Sequence, residues 1–180
     1  MRREDPLANP APLIDRVYSY VAYRIGDGPD AEDVTSDVFE RAIRYRNSYD
    51  PARGGALPWL LGIARRCIDD LGHRLGPTFD QQEHDRPAPG DIASDAVRRL
   101  SLSAAIRRLD DRSRDLLALR FGADLATKQI AEVVGLKPNA VDVALHRTLA
   151  QLRSELDRDD EPGALTIAPA VMRRTSHKGG

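Results

Sequence analysis

Apolar residues recur at helical spacing through two separate blocks of this chain, 13–74 and 96–156, and alternate with period two over no useful length. A half-buried strand needs that alternation, whereas a helix needs an apolar stripe every three or four residues. Aromatics are only 5% of the chain, which argues further against a large sandwich. The expected fold is all-α, with two small helical domains joined by a flexible linker. Punctuation sets the boundaries. Residues 1–12 hold three prolines and read as a disordered lead, and 75–95 carry three prolines, two glycines and an excess of acids, the mark of a flexible acidic linker. The DRDDEP run and small residues of 157–180 read as a disordered tail.

Within the first block, Leu13, Ile14, Val17, Val21 and Ile25 make one helical stripe that stops at Gly26-Asp27-Gly28-Pro29. Asp30 is the expected cap of a second helix, with Val34, Val38, Ala42, Phe39 and Ile43 inward. Pro58 suits the start of a third helix, whose stripe is Leu57, Leu60, Leu61, Ala64, Ile68 and Leu71. In the second block a helix runs through Leu116, Leu117 and Phe121 to Gly122. Thr127 is the expected cap of a short helix to Val134, Gly135 turns the chain, and Pro138 or Asn139 opens a long helix with Val141, Leu145, Leu149, Leu152 and Leu156 inward.

A short helix, a glycine turn and a longer helix make a helix-turn-helix. Ala131 falls where a larger side chain would push the two helices apart, and Gly135, four residues on, supplies positive φ at no steric cost. Lys137, Asn139, Ala140, Val143, Ala144, His146 and Arg147 are left for the outward and flanking faces, where such a helix meets base edges in the major groove. An ordinary helical hairpin is the structural alternative.

Charge narrows the function. Lys and Arg number 27 against 28 Asp and Glu, a formal net charge of −1, so bulk charge cannot coat nucleic acid or an anionic membrane. The single Cys67 excludes a disulfide framework and a cysteine-based zinc site, and its apolar neighbours mark it as a buried hydrophobe. No segment has the roughly 18 apolar residues of a membrane span, and no apolar signal core follows Met1. A soluble, cytoplasmic protein without membrane insertion is expected. Neither a phosphate-binding glycine loop nor metal-ligand spacing nor a nucleophile–base motif occurs, so no catalytic residue, metal or cofactor is assigned.

Two stretches carry a more particular likeness. DAEDVTSDVFERAIRYRNSYDPARGGALPWLLGIARRCIDD resembles the conserved core region of bacterial σ factors of the σ70 family, with the compact extracytoplasmic-function (ECF) group as the nearest pattern. AIRRLDDRSRDLLALRFGADLATKQIAEVVGLKPNAVDVALHRTLAQLR resembles the second domain of that group. The two occur in the family's order and spacing. The resemblance implies a σ2-like helical bundle over 13–74 and a σ4-like helix-turn-helix over 96–156. It also implies a non-enzymatic subunit that binds core RNA polymerase (clamp helices and flap) and promoter DNA to start transcription, with an anti-σ protein as a further candidate partner.

The resemblance also assigns residues. Asp33, Asp37 and Glu40, beside Val38 and Phe39, would dock on the polymerase clamp, a basic surface with an apolar centre. Tyr49, Arg53, Trp59, Arg65, Arg66, His73 and Arg74 would capture and track the melted −10 element, which demands stacking planes and cations. At this helical position a lone tryptophan such as Trp59 is more often a packed core residue, and that reading is preferred to stacking. Lys128, Lys137, Asn139, Ala140, Val143, His146 and Arg147 would meet the −35 duplex. The chain departs from the family's pattern at Ala56-Leu57, where an aromatic is common, at Arg66, where Asn is common, and at Asp142 and Ala144, where cations are common. The last pair predicts a weak or unusual −35 contact.

A free-standing helix-turn-helix regulator is the main alternative, but residues 13–74 hold nine basic and ten acidic residues and 100–156 hold nine and seven. Neither block is basic enough to grip a duplex firmly by itself. A subunit positioned by polymerase need not be, since effective concentration supplies the rest. A protein-only helical adaptor that holds polymerase without DNA contacts is a further alternative.

Overall fold

The computed structural model describes residues 5–75 and 101–159, and every regular element among them is helical. Helix α1 is Ala11–Ile25, α2 Pro29–Tyr45 and α3 Ala56–Leu75, each packed on the other two. Next come α4 (101–107), α5 (Asp111–Leu117) with a π-helical turn at Ala118–Gly122, α6 (Thr127–Val134) and α7 (Pro138–Asp159). Most of the expected linker, the first four residues and the tail after Asp159 lie outside the described residues. Residues 5–12, read from sequence as part of a disordered lead, are instead a turn held by the Leu7 N–H donating to Asp5 (3.0 Å), followed by the start of α1. Leu7 packs on the core, which gives this segment an apolar anchor.

Helix starts use backbone more than the expected caps. Gly28, not Asp30, precedes α2, at φ 135°, and Pro29 takes the first position, where its missing N–H costs nothing. Asp30 and Glu32 sit in the first turn, favourable to the helix dipole. At α6 the cap is Ala126, whose N–H is taken by the Gln129 side chain at 3.0 Å, so Thr127 is already helical. Its hydroxyl is free to donate to Asp142 of α7 at 2.8 Å, joining the two helices of the turn motif. Gly135 has φ 70° and ψ 32°, the left-handed stop anticipated for it.

Helix α5 has a true side-chain cap. The Asp110 carboxylate accepts from the Ser113 N–H (2.9 Å) and hydroxyl (2.8 Å), and these bonds hold its pKa below the ordinary carboxylate value. Replacing Asp110 by Ala should cost about 1 kcal/mol in chemical denaturation at neutral pH. Because the folded pKa is lowered, the cap's contribution is present above the unfolded value of about 3.9 and disappears as pH falls through the folded one. The wild-type and D110A curves should therefore converge in acid; a gap that persisted there would contradict the cap's role.

The first three helices bury Val17, Tyr20, Val21, Val38, Leu60 and Leu61 completely. That core does not end with them. Leu116, Leu119, Leu125, Ile130 and Val141 of the second half belong to the same continuous apolar cluster, and α1 packs on the π turn while α3 packs on α6. A smaller cluster of Ala105, Leu109, Leu117 and Leu152 also touches Tyr23 of α1. Leu149, read as inward from its spacing, is exposed, as are Ile14 of the first stripe and Phe121. The π turn explains Phe121: one extra residue per turn rotates it off the stripe of α5.

Candidate polymerase and nucleic-acid interfaces

The acidic face of α2 forms as its spacing dictates. Asp33 and Glu40 are exposed and Asp37 is half-exposed, three carboxylates along one side of the helix. Glu40 accepts from Arg44 one turn on, at 2.7 Å. Val38 does not join them: it is fully buried and faces the core, a necessary result of its place in the Val34–Val38–Ala42 stripe. Phe39 is half-buried against the same core. The exposed apolar residue of this surface is Ile43, one turn from Glu40 and 60% accessible, although its spacing predicts an inward position.

Tyr49 and Trp59 come together at the mouth of α3. Their ring centroids are 5.4 Å apart and tilted by 56°, and the Tyr49 hydroxyl donates to the Gly54 carbonyl at 3.3 Å. Gly54, at φ 150°, lets the loop fold back under Tyr49. With Arg53, Pro58 and Gly55 these residues line a pocket of about 190 Å³, whose wall is completed by Glu132 of α6. Trp59 is half-buried and both packs on the core and shows a face to this pocket, so the two readings of it meet in one position. Arg53 is held loosely by Asp50 (3.6 Å) and is almost fully exposed. Arg66 and His73 are exposed further along α3. Arg74 is within the helix, and its side chain lies outside the described residues.

Arg65 is placed differently from its sequence neighbours. Its guanidinium pairs with Asp115 of α5 (Nε to Oδ2, 3.0 Å) and donates to the Val133 carbonyl of α6 (3.2 Å). The other oxygen of Asp115 accepts from the Tyr20 hydroxyl at 2.5 Å. Burial, with the Asp115 carboxylate beside it, pushes the Tyr20 phenol well above its ordinary pKa, so it stays a neutral donor. Sequence reading missed Tyr20 and Asp115. The sequence offered little signal, since Asp115 follows the polar run Asp111–Arg114 and only its place just before Leu116 and Leu117 hints at burial, where a carboxylate requires a partner.

On α7, Asn139, Ala140, Val143 and Arg147 are exposed and, with the half-buried Ala144, line one groove of about 610 Å³ that α5 closes with Arg112 and Ser113. Lys128, Lys137 and His146 are exposed outside that groove. Ala131 is buried between α6 and α7, as its small size requires. Asp142 is not a bare acid on a DNA-facing surface, because Thr127 holds it against α6. Among the described residues there is no cluster of His, Cys, Asp and Glu able to hold a metal, and no helix long and apolar enough to cross a membrane.

Comparison with known proteins agrees with this arrangement. The family model for Sigma-70 region 2 matches residues 12–74 and that for Sigma-70 region 4 matches 99–152, together more than half of the chain. Over 153 residues the chain is 30% identical to the ECF RNA polymerase sigma factor BldN of Streptomyces coelicolor, covering 81% of this chain and 58% of BldN. It is 31% identical to SigE of Mycolicibacterium smegmatis (79% and 58% covered) and 29% identical to the RNA polymerase sigma factor CarQ of Myxococcus xanthus (85% and 88%). It thus spans 58% of the length of BldN and of SigE. The fold is shared with CnrH, solved with the cytosolic domain of CnrY (TM-score 0.57, 23% identity, 83% of this chain and 82% of that one). It is also shared with the sigma factor RpoE of Bartonella quintana, solved with the anti-sigma factor NepR (TM-score 0.64, 16% identity, 82% and 93%). With both regions present in order on one all-helical chain, this protein belongs to the extracytoplasmic-function group of the σ70 family of RNA polymerase sigma factors.

Proposed function

We propose that this chain is a promoter-recognition subunit, a non-catalytic partner that binds core RNA polymerase and directs promoter melting and transcription initiation. The observation that carries the reading is the presence, in order, of both region matches on one chain whose helix-turn-helix presents Asn139, Ala140, Val143 and Arg147 outward. In this reading 13–74 is the unit for polymerase and the −10 element and 96–156 the unit for the −35 element. Asp33, Asp37 and Glu40, with Ile43 supplying the apolar centre, meet the polymerase clamp. Tyr49, Trp59 and Arg53 stack and track single-stranded −10 bases, aided by Arg65, Arg66, His73 and Arg74. Such a subunit works in the cytoplasm. CnrH and RpoE were solved with CnrY and NepR, and an anti-σ protein is the corresponding regulatory partner here.

Run-off transcription from a promoter library with core polymerase tests this directly. Promoter-specific transcripts should require both the chain and the core enzyme. Tight binding to an operator duplex by the chain alone, with no effect on polymerase, would instead make it a free-standing regulator.

The groove is lined by two cations, Arg147 of α7 and Arg112 of α5, beside the acid Asp110, with Lys128, Lys137 and His146 at its margins, and Ala144 adds none. Few phosphate contacts mean few counterions released. The affinity of the σ4-like unit for a −35 duplex should therefore fall gently with salt, with a log–log slope of about −2 to −3 in fluorescence anisotropy. A slope near −6 would contradict this surface.

A further inference from the structure

The outward side of α7 carries an acid where phosphates would call for cations. Asn139, Asp142, Val143 and His146 are exposed along it, and Val143 is 51% accessible. A helix laid in the major groove brings these positions to the DNA, and not the buried Val141 and Leu145. A carboxylate exposed there must meet a donor or suffer repulsion from the phosphates on either side.

Asp142 is not free to swing aside. Thr127, half-buried in the first turn of α6, donates its hydroxyl to one oxygen of the Asp142 carboxylate at 2.8 Å, and it is the partner Asp142 has among the described residues. That bond holds the side chain in place before any DNA arrives, so binding costs it less conformational freedom. The second carboxylate oxygen is left to accept.

The major groove offers a fixed acceptor few choices. Base edges present two donors there, the N4 amino group of cytosine and the N6 amino group of adenine, while guanine and thymine turn acceptors outward. Adenine sets its N7 acceptor beside N6, where it repels a carboxylate; cytosine carries no acceptor of its own on that edge. A held carboxylate is therefore matched to cytosine. Val143, next in sequence, has the chemistry for a thymine methyl group. Acid and aliphatic side by side suit base edges rather than phosphates.

We propose that Asp142 is a specificity-determining residue of the −35 contact: it accepts from the amino group of a cytosine, and Thr127 is the residue that positions it. The inference rests on the −35 assignment above and names the base chemistry which that surface selects. It also accounts for an acid on a surface with few cations, because discrimination here comes from a base edge and not from grip on the backbone.

The test uses holoenzyme assembled from the full chain and core polymerase, with a pool of promoter duplexes randomised over the upstream element. Bound duplexes are sequenced. Wild type should prefer a C·G pair to T·A by about tenfold at one position of that element. Asp142→Ala should flatten the preference at that position and leave the others. Asp142→Asn keeps an acceptor for Thr127 and adds a donor, so the preference should move toward adenine, whose N6 and N7 suit an amide. Thr127→Val keeps the carboxylate but releases it, and the cytosine preference should drop to about threefold without passing to another base. Circular dichroism checks that each variant is folded; should Asp142→Ala fail to fold, Asp142→Asn decides.

A bond that served only to tie α6 to α7 would show itself differently. Asp142→Ala and Thr127→Val would then weaken every duplex alike and leave the selected sequence unchanged. That result overturns the proposal while the −35 assignment stands. If wild-type holoenzyme selects no base in the upstream element, although it still selects the downstream one, the −35 assignment itself fails, and the proposal with it.

Discussion

Reversing the acidic face of α2 with D33R, D37R and E40R together is expected to cut both the affinity for core polymerase and run-off transcription about a hundredfold or more. Close charge pairs across an interface couple by about 1.5 kcal/mol or more each, and each 1.4 kcal/mol is tenfold. Three reversals need not add fully, yet two effective pairs already reach that loss. Stability should hardly change, because Asp33 and Glu40 are exposed and Asp37 half-exposed, and the Arg44–Glu40 pair is a surface contact worth a few tenths of a kcal/mol. Thermal melting of the triple variant should therefore overlay the wild type to within a few degrees. Unchanged core affinity would move the polymerase contact away from α2. The control is I43S: loss of the exposed apolar side chain should weaken core binding too, whereas a change at the buried Val38 would damage folding first.

The second large effect is thermodynamic. Leu119 is fully buried in the cluster that both halves share, so Leu119→Ala should cost about 3–4 kcal/mol. For a chain of this size that is a major part of the whole margin. Trp59 is the lone tryptophan and belongs to the first half, so its fluorescence reports unfolding there. The denaturation midpoint seen by Trp59 should drop although the substitution is sixty residues away in the second half. A Trp59 transition that stays in place while the circular dichroism signal splits in two would show that the halves unfold independently.

Most of the local architecture was legible in the residues. The stripes of α1, α2 and α3, the break at Gly26–Pro29 and the left-handed turn at Gly135 follow from side-chain period and backbone freedom, which neighbours in sequence suffice to express. The helix-turn-helix and its outward residues followed for the same reason, and so did the acidic face of α2. Where the reading went wrong, something nonlocal or a change of winding intervened. Gly28 and Ala126 replaced the expected caps because Pro29 tolerates the first turn without a side-chain acceptor and Gln129 reaches back to the Ala126 N–H. The helix expected to run through Phe121 to Gly122 changes winding at Ala118, where the π turn breaks the period.

Helical periodicity in two separate blocks without alternation determined by itself the all-α fold class, where its breaks fall, and which motif could meet DNA. It left the blocks as two independent bodies, because periodicity records that a face is apolar but not which surface covers it. The tertiary structure decided the covering. Tyr20 and Asp115 are 95 positions apart and carry no local sign of each other, yet one hydrogen bond and one arginine join them. A buried carboxylate must be neutralised wherever a donor is, and only the folded chain brings that donor near. One acid of the second half, Asp115, stands on an arginine of the first, Arg65, so part of the charge balance read from the sequence is an internal pairing that only the fold reveals.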